Sequence, residues 1–145
     1  MKRALLAALL LAAPAEVRAG ARAEQALRLY CGGGFTGGGG GVAVDSAGQL
    51  TRLRRQTFAA PLESRPIEGR PQPVAEWLRM LEGAGFRRLP RGEPSNMTCT
   101  LTMGAGPTGH FIMWRGTGTP PDLPAPVLHV IAALRRLQQD NPFGQ

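Results

Sequence analysis

Lysine is all but missing from this chain: Lys2 is the single example, and the other 16 cations are Arg. Aromatic residues make up only 6% of the sequence, so the arginines are not interleaved with rings on which bases could stack. That pattern, with arginines spread along the whole chain, argues against a nucleic-acid partner. There are two cysteines, Cys31 and Cys99, too few thiolates to hold zinc by themselves. The two histidines, His110 and His129, have no His, Asp or Glu three or four residues away, the spacing that helical metal sites use. No metal or cofactor is therefore expected. A second long apolar run is also lacking, so nothing after the first residues is expected to anchor the chain in a membrane.

The one long apolar run is at the start. Met1-Lys2-Arg3 precedes an unbroken stretch from Ala4 to Ala13 and then Pro14. A short positive segment followed by roughly ten apolar residues is the pattern of a secretory signal peptide. The run falls short of the about 20 residues a membrane-spanning helix needs. It also has no polar face, unlike an amphipathic first helix. Residues 1–19 are thus read as the signal peptide, with Ala19 and Ala23 as alternative cleavage points. Cleavage after Ala19 removes three cations and one carboxylate, which lowers the net charge from +7 to +5. A periplasmic or extracellular location follows, and with it an oxidising environment in which Cys31 and Cys99 form a disulfide.

The remainder suits one domain, residues 24–140, followed by a flexible tail, 141–145. Leu27, Leu29 and Cys31 alternate with Arg28 and Tyr30, which marks a strand with one buried face. A glycine-rich stretch from Gly32 to Gly41 follows and is expected to be a long mobile hairpin loop with Phe35 as its only large side chain. Val42 to Asp45 resumes a strand. Asp45-Ser46-Ala47-Gly48 is a turn, and Gln49 to Gln56 reads as a third strand. Ala59 to Gln72 contains Pro61, Pro66 and Pro71 with no apolar period, the signature of a surface loop. Val74, Trp77, Leu78 and Leu81 give one apolar helical face after Pro73, ended by Gly83 and Gly85. Met97, Cys99, Leu101 and Met103 alternate with threonines in another strand, and His110 to Arg115 returns. Val127, Val130, Ile131, Leu134 and Leu137 mark a second helix. The order predicts an α+β fold of two layers: an antiparallel sheet of four or five strands with two amphipathic helices packed on one face.

Chemistry-bearing patterns are sparse. Gly32-x-Gly34-x-x-Gly37 satisfies the dinucleotide-binding spacing, but more glycine and a strand follow it instead of a helix. There is then no helix N-terminus to receive a pyrophosphate. His129 lies opposite the apolar stripe of its helix beside Arg136 and reads as a surface residue; His110 opens a strand after Gly109, where a partly exposed position is expected. Ser46, Ser64 and Ser95 sit in turn-like contexts without a positioned base. Glu63 and Glu68 stand beside Arg65 and Arg70 as solvated charges. Trp77 and Trp114 read as packing residues, and Asn96-Met97-Thr98 as an incidental glycosylation sequon. An enzyme is not expected; that reading would need His110, Cys99 or the carboxylates to converge.

Gly33-Gly34-Phe35-Thr36-Gly37 after a strand, Val42-Ala43-Val44-Asp45 with its turn and Leu50, the helix with Trp77-Leu78 and Leu81, the strand Thr98 to Met103, and Pro120-Pro121-Asp122-Leu123 before the last helix together form a pattern. It resembles emfourin and its relatives, small bacterial protein inhibitors of thermolysin-like metallopeptidases. The resemblance covers most of the chain after the leader. It implies a protein-binding domain whose partner is an exported metallopeptidase, inhibited by occlusion of its cleft. The loop Gly34, Phe35, Thr36, Gly37 and Gly38 would make the contact, with Phe35 as anchor. The competing expectation is a non-inhibitory periplasmic envelope, accessory or ligand-binding domain. Oligomeric state is left open.

Overall fold

The computed structural model describes residues 24–118, 120 and 122–144. The expected signal peptide, residues 1–19, lies outside the described residues, as does Pro121. The chain folds as an α+β domain with one antiparallel six-stranded sheet and two helices. The strands are β1 (Gln25–Gly33), β2 (Gly38–Asp45), β3 (Leu50–Arg55), β4 (Glu63–Ile67), β5 (Met97–Met103) and β6 (His110–Arg115). The helices are α1 (Val74–Gly83), after β4, and α2 (Ala125–Asp140), after β6. In space the strand order is β4-β3-β2-β1-β5-β6. The first hairpin is therefore central, with β5 and β6 added on its far side.

Period-two alternation sorts the side chains onto two faces. Leu27, Leu29, Val42, Val44, Leu101, Met103 and Ile112 point to one face and are buried there with Val74, Trp77 and Leu81 of α1 and Val127, Val130, Ile131 and Leu134 of α2. Each fully buried side chain of this size contributes about 1.5–3 kcal/mol through removal from water. Phe86, in a short 3-10 turn after α1, is fully buried against the same core. Trp77 and Trp114 are both 5% exposed, so both indoles are core packing as expected. No helix among the described residues is long and apolar enough to cross a membrane.

Two expectations are corrected. The sheet has six strands, because Glu63–Ile67, expected as part of a surface loop, pairs with β3. Of its helix-side positions Glu63, Arg65 and Ile67, only Ile67 packs against the core, which leaves no apolar period. Glu63 there meets a charge, Arg54 Nη2 at 2.9 Å, instead of the core. As an edge strand it also tolerates Pro66, whose missing N–H costs no ladder bond on the outer side. The second correction concerns the glycine run. Gly38 to Gly41 belong to β2, paired with β1 through Gly33↔Gly38 to Tyr30↔Gly41. Glycine is needed here by close approach: a Cβ on Gly39 would stand 2.7 Å from Tyr30 Oη and overlap the Cys31 carbonyl. What remains of the expected long loop is a four-residue reversal.

Candidate functional site

That reversal, Gly34 to Gly37, joins β1 and β2. Gly34 and Gly37 have φ of 73° and 68°, a region where residues with a side chain are strained. The turn is held by four polar contacts. Gly37 N–H donates to the Gly34 carbonyl at 3.2 Å, and Gly38 N–H to Thr36 Oγ1 at 3.3 Å. Gly34 N–H donates to Asn96 O at 2.6 Å, which ties the tip to the start of β5. Phe58 N–H donates to Thr36 O at 2.8 Å, which ties it to the loop after β3. The tip is thus braced on both sides, unlike the mobile loop the glycine content alone predicts.

Phe35 and Phe58 are the two exposed large hydrophobic residues among the described residues, at 107% and 83% relative exposure. Phe58 comes from a different loop, yet its backbone is bonded to the tip. Gly37 makes that approach feasible, since a Cβ there would lie 2.6 Å from Phe58 Cβ. The sequence marked Phe35 but not Phe58. Nothing local distinguishes Phe58, an isolated apolar residue beyond the end of β3; only the pairing of strands brings it to the tip.

Beneath the tip, Cys31 and Cys99 are directly opposed on β1 and β5 and form a disulfide across a sequence separation of 68. On the chain-entropy model such a closure contributes about 4 kcal/mol. It fixes the strand that leads into the tip to the middle of the sheet. Pairing continues from the disulfide through Gly32↔Thr98 to Gly33↔Met97, where the turn begins.

The other residues weighed for chemistry are not brought together. His110 packs edge-on against Phe86, with ring centroids 5.4 Å apart and planes at 86°. Its Nε2 is buried without a hydrogen-bond partner. His129 is exposed on the outer side of α2, and Cys99 is consumed in the disulfide. Glu63 pairs with Arg54, while Glu68 is exposed beyond the end of β4. Ser95 Oγ donates to the Met97 carbonyl, and Ser46 and Ser64 are exposed. Among the described residues no group of three His, Cys, Asp or Glu side chains could hold a metal ion. Below the tip on the helix side, a groove of about 640 Å³ is lined in part by Arg52, Arg54 and Arg135. These guanidiniums are already occupied. Arg52 donates to the Asn141, Gly41 and Leu53 carbonyls, Arg54 to Glu63 and Phe143, and Arg135 to Gly118. Their work is to hold the chain around the end of α2.

No model of a known protein family and no curated protein matches this chain.

Proposed function

We propose that this is an exported small domain that acts by binding a protein, and that it inhibits a thermolysin-like metallopeptidase by placing the Gly34–Gly38 tip in the peptidase cleft. The observation that carries the reading is the pair Phe35 and Phe58, both exposed on one backbone-braced tip. Aromatic side chains are over-represented among residues whose truncation costs an interface most. A turn already fixed by hydrogen bonds to Asn96 and Phe58 has less conformational freedom to lose on binding. Inhibition by occlusion requires no bond chemistry from the inhibitor. Export is consistent with the Cys31–Cys99 disulfide, since such bonds persist in oxidising compartments.

The test is a stoichiometric one. Purified protein is added to each of several thermolysin-like peptidases, with residual hydrolysis measured across the equivalence point. A break at one inhibitor per enzyme is expected for at least one of them. Undiminished activity with all of them would remove the inhibitor reading and leave the non-inhibitory envelope domain.

A further inference from the structure

The face of the sheet away from the helices carries a surface of different chemistry from the tip. Arg28 of β1, Arg55 of β3 and Arg115 of β6 all occupy positions that alternate with core residues and so point to this open face. A fourth cation, Arg91, reaches the same face from the segment beside β6, with its guanidinium 4.3 Å from the Phe111 ring centroid. Arg28 lies 5.4 Å from the Tyr30 ring centroid on its own strand. None of the four takes part in the two salt bridges found among the described residues, Arg54–Glu63 and Arg87–Glu82.

Carboxylates are absent from the strands of this surface, while Glu68, beyond the end of β4, lines a pocket with Ala43, Thr51 and Pro66 at its edge. No Asp or Glu occupies an open-face position within β1, β3, β4, β5 or β6. Asp45, at the end of β2, spends its carboxylate on the N–H groups of Ala47 and Gln49. Arg28 meanwhile is held below the usual arginine range, chiefly by burial and also by the nearby Arg55, against an opposing contribution from Tyr30. A cationic surface with no carboxylate on its strands gains from an external anion.

The rings indicate which anion. Tyr30 lies back over the strand toward Gly32 and Gly39, and Arg28 sits over its ring. Phe111 is covered by Arg91. Neither ring is free to stack a base on its covered side, which disfavours a single-stranded nucleic acid. An arginine stacked on a ring keeps its in-plane N–H fork available, and that fork matches a carboxylate in bidentate fashion. Beside these cations, Thr100 and Thr102 of β5 present hydroxyls that can accept or donate, whereas the Thr98 hydroxyl is taken up by Ser95 N–H and the Ser95 carbonyl.

We propose that the open face is a docking surface for a carboxylate-rich polypeptide, gripped by Arg28, Arg55, Arg91 and Arg115. This does not depend on the tip's function, because the tip aromatics are not part of the surface.

The test uses poly-L-glutamate as the probe, with binding followed by fluorescence anisotropy at low and moderate salt. One triple variant, Arg28→Gln with Arg55→Gln and Arg115→Gln, removes cations from the face. A control triple, Arg65→Gln with Arg70→Gln and Arg136→Gln, removes the same charge from exposed positions elsewhere. The face variant is expected to lose roughly tenfold or more in affinity, and the control no more than about threefold. Because Arg28 is half-buried, a double variant of the exposed Arg91→Gln and Arg115→Gln is compared with Arg65→Gln and Arg70→Gln, which guards against a folding defect. Equal losses in the matched variants would overturn the proposal by reducing it to net charge. Tighter binding of a single-stranded oligonucleotide of equal charge, lost in the same face variants, would overturn it in favour of nucleic acid.

Discussion

The chain reverses direction tightly at both ends of β2, and the two turns are made of different material. At the β2–β3 turn each residue accounts for the geometry. Asp45 Oδ1 accepts the N–H groups of Ala47 and Gln49, each at 2.9 Å. Gly48 takes a φ of 82° and accepts Gln72 N–H at 2.8 Å, which binds the turn to the segment before α1. At the β1–β2 tip, Gly34 and Gly37 do the same conformational work, and Thr36 supplies the one side-chain bond. Phe35 accounts for nothing in the turn. A polar residue would close the same reversal, yet a fully exposed phenylalanine stands there, with Phe58 fastened alongside. One turn is accounted for by the fold alone; the other carries an exposed aromatic side chain that the turn itself does not use.

The largest expected effect tests the bond beneath the tip. Replacing Cys31 and Cys99 together by Ala should lower stability by about 4 kcal/mol in urea unfolding. Hydrogen exchange in that variant should rise more at Gly34 N–H, next to the lost bond, than at Gln49 N–H. Next come Gly37→Ala and Gly48→Ala, each expected to cost about 1–3 kcal/mol because a side chain is forced to positive φ. They should part on binding: Gly37→Ala also displaces Phe58 and weakens the complex, whereas Gly48→Ala leaves affinity unchanged. Equal losses of affinity would break the contrast between the turns. Asp45→Ala should cost about 1 kcal/mol through its two backbone bonds. Smallest of all, Phe35→Ala should change stability by less than about 0.5 kcal/mol, as for a surface residue with no structural task.

The sequence was most legible where side chains alternate against a core. Val74, Trp77 and Leu81 at helical spacing, and Cys99, Leu101 and Met103 at strand spacing, reported their buried faces directly. The disulfide followed from two cysteines on inward-facing positions. Legibility failed where the signal depends on a neighbour distant in sequence. Gly38 to Gly41 have no side chains to alternate, so only their close neighbours reveal why they form a strand: Tyr30 and β1 carbonyls beside Gly39 and Gly41, and carbonyls on the β3 side beside Gly38 and Gly40. β4 turns Glu63 toward Arg54 instead of toward the core, which erases its apolar period. Phe58 became part of the tip only through its backbone bond to Thr36. At the candidate site, half of the aromatic pair was therefore readable and half was not.

The most direct test of the central claim joins both halves. Inhibition of a susceptible thermolysin-like peptidase is titrated with the unaltered protein and with the Phe35→Ala, Phe58→Ala double variant, after circular dichroism shows equal folding. The unaltered protein should inhibit at one molecule per enzyme, and the double variant should lose roughly thirtyfold or more in affinity. A double variant that inhibits as well as the unaltered protein would contradict the assignment of the tip as the binding site.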